Sequence, residues 1–432
     1  MSRKKRIVLT AVLIVVFIST GILIGRWTVT SVGAEAGYEE LRIFTEVLSI
    51  VRKNYVENVK PNELIYGAVK GMINSLDPHS SFMPPAAYKE MQVETKGEFG
   101  GIGIQIGVKD GMLTVIAPIE DTPAYKAGIM AGDKIIKINT EFTKDLSLHD
   151  AVNKMRGTPN TSVTVTILRE GWRETKDFSL MREVIKIKSV KSRVLGDGIG
   201  YIKISQFQEQ TSEDLSAALD KLTQEKITAL ILDLRNNPGG LLNSAVNVSG
   251  QFLPKDTLVV YTKSRSGEKM EFFTEGDGQK TNLPMVVLVN EGSASASEIV
   301  AGALRDWNRG VLLGTQTFGK GSVQSVIPLS DGSGLRLTTA KYYTPKGKSI
   351  QATGITPDIV VKIELKGKNK NHTVIREKDL ERHLKEKQTD ERTEEPEETA
   401  PIEVDEKEDV QLQRAMDLLK TWKVFKELPK AS

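Results

Sequence analysis

The chain has 432 residues, 39% of them hydrophobic, which is enough for two or three globular units rather than one. Its 59 basic and 56 acidic residues nearly cancel to a formal +3, so no overall charge points to nucleic acid as a partner. Cysteine is absent, which excludes disulfides, thiolate nucleophiles and cysteine-ligated metal centres.

Ser2-Arg3-Lys4-Lys5-Arg6 precedes an almost purely apolar run from Ile7 to Gly25 that ends at Arg26. At about 1.5 Å per residue this run spans roughly the hydrocarbon core of a bilayer, and it exceeds the usual secretory h-region. The leading positive charges hold the N-terminus in the cytoplasm and send everything after Arg26 outside. Residues 1–27 therefore predict a single transmembrane anchor in the cytoplasmic membrane, with the body extracytoplasmic. Ala34-Glu35-Ala36 also offers an A-x-A cleavage site, so secretion after signal removal stays open.

Residues 38–92 read as a helical region. Leu41, Phe44, Val47, Leu48, Val51 and Tyr55 recur at helical spacing, and a second helix starts near Pro61 and stops at Asp77-Pro78-His79-Ser80. His79 reads as structural, because no partner can be placed beside it. Residues 93–182 change to short strands. Ile102, Ile104 and Ile106 alternate among glycines, and the G-x-G-x-x-x-G spacing before a strand fails as a dinucleotide loop.

Residues 183–362 alternate between strands and helices and predict an α/β core. Strands are expected at Ile199–Ile204, Ala229–Leu234, Met285–Asn290, Val311–Gly314, Ser322–Leu329 and Leu335–Tyr343. Helices are expected at Thr211–Leu222, Leu241–Gly250 and Ser295–Trp307. Residues 363–409 are dominated by Lys, Glu, Asp, Arg and Thr and predict a charged flexible linker, with a transient helix near Arg376–Lys387. Residues 410–432 carry an amphipathic helix, through Leu412, Met416, Leu419 and Trp422, that must dock on the body or on a second subunit.

Three segments carry candidate chemistry. Gly292-Ser293-Ala294-Ser295-Ala296-Ser297-Glu298 follows a buried strand and opens a helix, whose first amides can hold an oxyanion. Ser295-x-x-Glu298 also fits a capping box, and the pattern does not choose among the three serines. None of the four histidines, His79, His149, His372 and His383, falls in the α/β core, so a Ser-Lys dyad suits this chain better than a Ser-His-Asp triad. Lys320 lies between glycines in an otherwise apolar hairpin, surroundings that would depress its pKa and let it act as a base. Gly314-x-x-x-x-Gly319-Lys320 is not a P-loop: Gly321 stands where Ser or Thr should, and a strand follows instead of a helix. Asn236-Asn237-Pro238-Gly239-Gly240 forms a turn able to offer amides to an oxyanion.

Taken in order, Leu76-Asp77-Pro78-His79-Ser80, Asp233-Leu234-Arg235-Asn236-Asn237-Pro238-Gly239-Gly240, the Gly292–Glu298 segment and Thr317-Phe318-Gly319-Lys320-Gly321-Ser322-Val323-Gln324 closely resemble the C-terminal processing (tail-specific) peptidases of serine peptidase family S41. The resemblance covers about residues 38–362. It implies a crotonase-like α/β core with an inserted, mostly-β PDZ domain, and endoproteolysis of protein substrates near exposed C-terminal tails. It implies Ser295 as nucleophile, Lys320 as base, Gln324 as support for the lysine, and the amides of Gly240 and Ala296 as oxyanion hole. Asp306 matches an acidic position important in some members. Gly101, Ile102, Gly103 and Ile104 match the loop that receives a terminal carboxylate, with a helix around Leu148–Met155 as the other wall. No metal or cofactor is implied, and the end helix resembles segments that pair subunits, which predicts a homodimer. Two other classes stay open, a non-catalytic PDZ adaptor and a crotonase-like acyl-CoA enzyme.

Overall fold

A computed structural model of the chain describes residues 41–276, 278–362, 375–384 and 409–427. The apolar run Ile7–Gly25 lies outside the described residues. Among the described residues no helix is long and apolar enough to cross a membrane.

The chain divides into two compact units, the first ending at Ile73. In this unit residues 41–54 are helical, and the helix Pro61–Asn74 opens on its first-turn proline. Leu41, Phe44, Val47 and Tyr55 keep their helical spacing, yet all four are exposed.

The second unit begins at Asn74, inside the segment expected to be a separate helical region. The reason is a short strand, Ser81–Met83, which pairs antiparallel with Gly334–Tyr343 and joins this part of the chain to the core. Among the described residues the core carries a six-stranded sheet in the order Val190–Val194, Ile199–Ile204, Ala229–Asp233, Met285–Val289, Val311–Gly314, Ile359–Val360. From Ile199 onward the neighbours run parallel. Such strands are covered on both faces, and alternate residues show which face goes where. Ile202, Ile204, Leu230, Leu232, Val287 and Val289 pack with the helices Thr211–Gln224, Leu242–Gly250 and Ala296–Asp306. Ile199, Tyr201, Ile231, Val286, Leu288 and Leu313 pack instead with Leu412, Ala415 and Leu419 of the helix Val410–Glu427. The end helix therefore docks on this body. Arg235 fastens its start, with Nη1 and Nη2 each 2.8 Å from an oxygen of Asp409.

A second, antiparallel sheet places Gly334–Tyr343 between Ser81–Met83 and Leu258–Ser264, which in turn pairs with Lys269–Phe273; Ser322–Pro328 also pairs with Gly334–Tyr343. Residues 102–181 form a body with its own core of Ile102, Val115, Ile135, Ile138, Val163, Val165 and Ile167. The paired strands Glu98–Gly101 and Glu183–Lys186 mark where the chain enters and leaves it.

The expected linker is wrong for residues 375–384. Glu377–Asp379 forms a 3-10 turn on the core, and Glu377 is fully buried. Charge content alone predicted solvent; Glu377 instead finds His79 Nε2 at 2.6 Å and the Gln351 amide at 2.8 Å. The rest of the expected linker, residues 363–374 and 385–408, lies outside the described residues.

Candidate active site

The strand Met285–Val289 delivers the serine-rich turn. Ser293 is buried, donating to the Leu234 carbonyl at 2.8 Å and accepting from the Asn290 amide at 3.0 Å. Ser297 is buried and donates to the Asn237 carbonyl at 2.9 Å. Ser295 differs from both: it is half-buried, with φ 54° and ψ −114°. A non-glycine residue held at positive φ costs on the order of 1–3 kcal/mol and persists only where its surroundings over-determine it. Here the surroundings are the Asn236–Gly240 turn. The Asn290 amide donates to Asn236 Oδ1 at 2.7 Å, and the Ala294 N–H donates to the Asn237 carbonyl at 3.0 Å. Gly239, at φ 104°, lies so close that a Cβ there would sit 2.8 Å from Ser295 Cβ and 3.0 Å from the Ala296 nitrogen. The Gly240 and Ala296 amides donate to no acceptor among the described residues.

Glu298 is more than a helix cap. Its Oε2 accepts the Ser295 N–H and the Lys320 N–H, each at 2.9 Å. Its Oε1 accepts from the Gly319 N–H at 2.8 Å and Thr317 Oγ1 at 2.5 Å. One buried carboxyl thus ties the serine turn to the lysine loop, with both amide nitrogens on the same oxygen. Tyr342 closes the other side. Its buried hydroxyl donates to the Lys320 carbonyl, and its N–H donates to the Gly321 carbonyl at 2.9 Å. Neither Glu298 in this role nor Tyr342 was foreseen; the one signal was the Ser295-x-x-Glu298 spacing, which reads equally as a cap.

Burial, then the charge of Arg336, holds Lys320 below the usual lysine pKa, while the carboxylates of Glu377, Asp77 and Glu298 pull it back up. The direction is the one a general base needs, but the surroundings are charged rather than apolar. Gln324 sends its amide to Ser322 Oγ at 2.9 Å and Thr338 Oγ1 at 3.4 Å; among the described residues none of its hydrogen bonds reaches the Lys320 ammonium. Thr338 donates in turn to Asp77 Oδ1 at 3.1 Å, so the Asp77–Ser80 motif joins the same network. Asp306 is not brought to the site. It sits at the far end of the helix Ala296–Asp306, roughly 15 Å along at about 1.5 Å per residue, where it accepts the Lys346 N–H at 2.9 Å. Among the described residues no cluster of acidic and histidine side chains could hold a metal ion.

In the inserted body, the strand Ile104–Lys109 is a sheet edge, paired on one side with Met112–Pro118. A groove lies beside it, lined by Phe99, Ile102, Ile104, Ile106, Leu148 and Val152, with the helix Leu148–Met155 as its far wall. The Ile102 and Gly103 amides at its head make no hydrogen bond among the described residues. Gly101 lies in the strand before this turn, paired with Glu183, and Ile104 opens the edge strand.

Comparison with known proteins agrees with this organisation. Residues 198–361 match Peptidase family S41, residues 114–169 match the PDZ domain, and residues 27–86 match the Activating protease CtpB N-terminal domain. A carboxy-terminal-processing protease of Bartonella bacilliformis is 44% identical over 410 residues, 94% of each chain. A carboxyl-terminal-processing protease of Synechocystis is 40% identical over 72% of this chain and 74% of that one. The carboxy-terminal processing protease CtpB of Bacillus subtilis is 38% identical over 72% of this chain and 66% of that one. With such identity along nearly its whole length, the chain belongs to peptidase family S41, as a carboxy-terminal processing serine peptidase that carries a PDZ domain.

Proposed function

We propose that Ser295 is the nucleophile and Lys320 its general base, acting on protein substrates whose C-terminal tails the PDZ domain has captured. One observation carries this reading: Glu298 Oε2 accepts both the Ser295 and the Lys320 amides, while Ser293 and Ser297 are spent on buried backbone carbonyls. The neutral Lys320 amine takes the Ser295 hydroxyl proton as Oγ bonds to the scissile carbonyl carbon. The oxyanion meets the free amides of Gly240 and Ala296. Collapse then expels the amine of the C-terminal fragment, which receives the proton from Lys320, and water repeats the sequence on the acyl-enzyme. Gln324 steadies the lysine through Ser322, at the start of the strand that follows it.

For the tail, the edge strand Ile104–Lys109 suits β-augmentation, and the unbonded amides of Ile102 and Gly103 suit a carboxylate. The Ile7–Gly25 run anchors the chain in the cytoplasmic membrane with the peptidase outside.

The test is kinetic. Ser295→Ala and Lys320→Arg should be inactive, the latter because guanidinium keeps its proton. Lys320→Met should be inactive yet no less stable at neutral pH. Because the folded-state pKa lies below the unfolded one, the buried ammonium costs stability at neutral pH, a cost relieved only as pH rises through that lowered value toward about 10.4. Near-normal kcat in Lys320→Met would show that another base is at work.

A further inference from the structure

Two segments outside the matched peptidase region meet in the interior beside the lysine loop. His79 comes from the Asp77–Ser80 motif and Glu377 from beyond residue 361. Glu377 is fully buried, and a buried carboxylate with unfilled lone pairs would cost several kcal/mol, so its partners are informative. Oε2 lies 2.6 Å from His79 Nε2, and Oε1 accepts from Gln351 Nε2 at 2.8 Å. Gln351 Oε1 in turn accepts the N–H of Gly321, the residue after Lys320, at 2.9 Å. The Glu377 N–H donates to the carbonyl of Phe318, two residues before Lys320, at 3.2 Å. The loop is therefore gripped before Lys320 by the Glu377 backbone and after it by Gln351, whose side chain Glu377 holds.

His79 is itself fixed to the sheet that carries the strand after Lys320. Its N–H donates to Asp77 Oδ1 at 2.8 Å, and Ser80 Oγ accepts the Thr338 N–H at 3.0 Å. Thr338 lies on Gly334–Tyr343, the strand paired with Ser322–Pro328. A local loop thus gains a foundation drawn from both ends of the described body.

We propose that Glu377, held by His79, is a positioning residue for the peptidase reaction: a buried clasp that sets the Lys320 loop against Ser295. The inference rests on Lys320 being the base. The clasp itself is hydrogen bonding, which a side-chain amide of the same shape can also supply, while the Glu377 charge acts separately in raising the Lys320 pKa. In Glu377→Gln the amide oxygen can accept from Gln351, and the amide nitrogen can donate to His79 in its other tautomer.

The experiment measures kcat and KM on a peptide with a free C-terminus for the full-length protein and for Glu377→Ala, Glu377→Gln, His79→Ala and Lys320→Met, with the folded fraction of each from circular dichroism. Glu377→Ala should lose about 10²-fold in kcat per folded molecule with KM little changed, the loss expected for a reacting group displaced by about 1 Å. His79→Ala should lose kcat in the same sense, and Glu377→Gln should recover most of it. Wild-type kcat per folded molecule in Glu377→Ala would overturn the proposal, as would a Glu377→Gln as impaired as Glu377→Ala. If losses followed the folded fraction alone, the residue would be structural and the proposal would also fall. Full activity in Lys320→Met would instead overturn the reading of the base, a result separable from an active Glu377→Ala in an enzyme that Lys320→Met inactivates.

Discussion

Replacing Glu298 by glutamine tests whether the carboxyl that joins serine to lysine works as an acid or as an anion. Burial pushes its pKa from the ordinary 4.5 up to about 8, against hydrogen bonds from Thr317, Gly319, Ser295 and Lys320 that pull it down. At neutral pH the neutral acid then prevails. Its hydroxyl at Oε1 can then donate to Thr317 Oγ1, the reverse of the bond that the ionised carboxylate accepts from that hydroxyl, leaving Oε2 to accept both the Ser295 and the Lys320 amides. Because the folded-state value lies above the unfolded one, the folded protein binds the proton more tightly. Stability is therefore highest below pH 4.5, falls as pH rises from 4.5 to about 8, and has lost the full increment above that. At about 1.4 kcal/mol per pH unit, that increment is on the order of 5 kcal/mol. Glu298→Gln keeps an oxygen for Ser295 and Lys320 and a donor for Thr317, but it turns an NH₂ group toward the Gly319 N–H, costing about 1–3 kcal/mol. The variant should thus be less stable than wild type near pH 5, and the gap should close and reverse by about pH 8.5. Urea denaturation of both proteins across that range reads it directly. A gap that stayed constant with pH would mean that the four donors keep Glu298 ionised, and the burial argument would be refuted.

Three further outcomes follow from other parts of the molecule. Amidating the C-terminus of a good peptide substrate should lower kcat/KM, because the Ile102 and Gly103 amides lose their carboxylate; equal values for acid and amide would remove tail capture. Burial raises the Asp409 pKa, but the hydrogen bonds and charge of Arg235 outweigh it and hold the group below its usual range. Asp409→Asn should therefore destabilise the protein by about 2 kcal/mol at pH 7, with the difference vanishing as pH falls through that lowered value; a difference that persisted in acid would show that the ion pair is not its source. Protease added to cells stripped of outer barriers should degrade the body of the chain, and protection would put that body in the cytoplasm.

What could be read beforehand was local. The strands of the parallel sheet announce themselves as short, β-branched, apolar runs, and Ser295 and Lys320 lie in motifs that are continuous in sequence. The hairpin Leu258–Ser264 with Lys269–Phe273 was missed although its turn, Arg265-Ser266-Gly267, carries a glycine signal. Glu298 was visible but ambiguous, since a helix cap and a cross-link to the lysine loop use the same free amides and the same i, i+3 spacing.

Non-local partnerships left no trace in any window of sequence. His79 and Glu377 are 298 positions apart, and each reads blandly alone, as a structural histidine and as one acid in a charged stretch. The same holds for the environment of Lys320. Apolar neighbours in sequence suggested an apolar pocket, yet the fold brings Arg336, Glu377, Asp77 and Glu298 to it from four separate segments. That difference bears on the chemistry. An apolar pocket could only drive the lysine toward its neutral form, whereas an opposing carboxylate such as that of Asp77 stabilises the ammonium that forms when the serine proton is taken. A site of this kind shifts Lys320 toward the neutral amine and still lets it receive a proton, which a base that must return it to the leaving amine has to do.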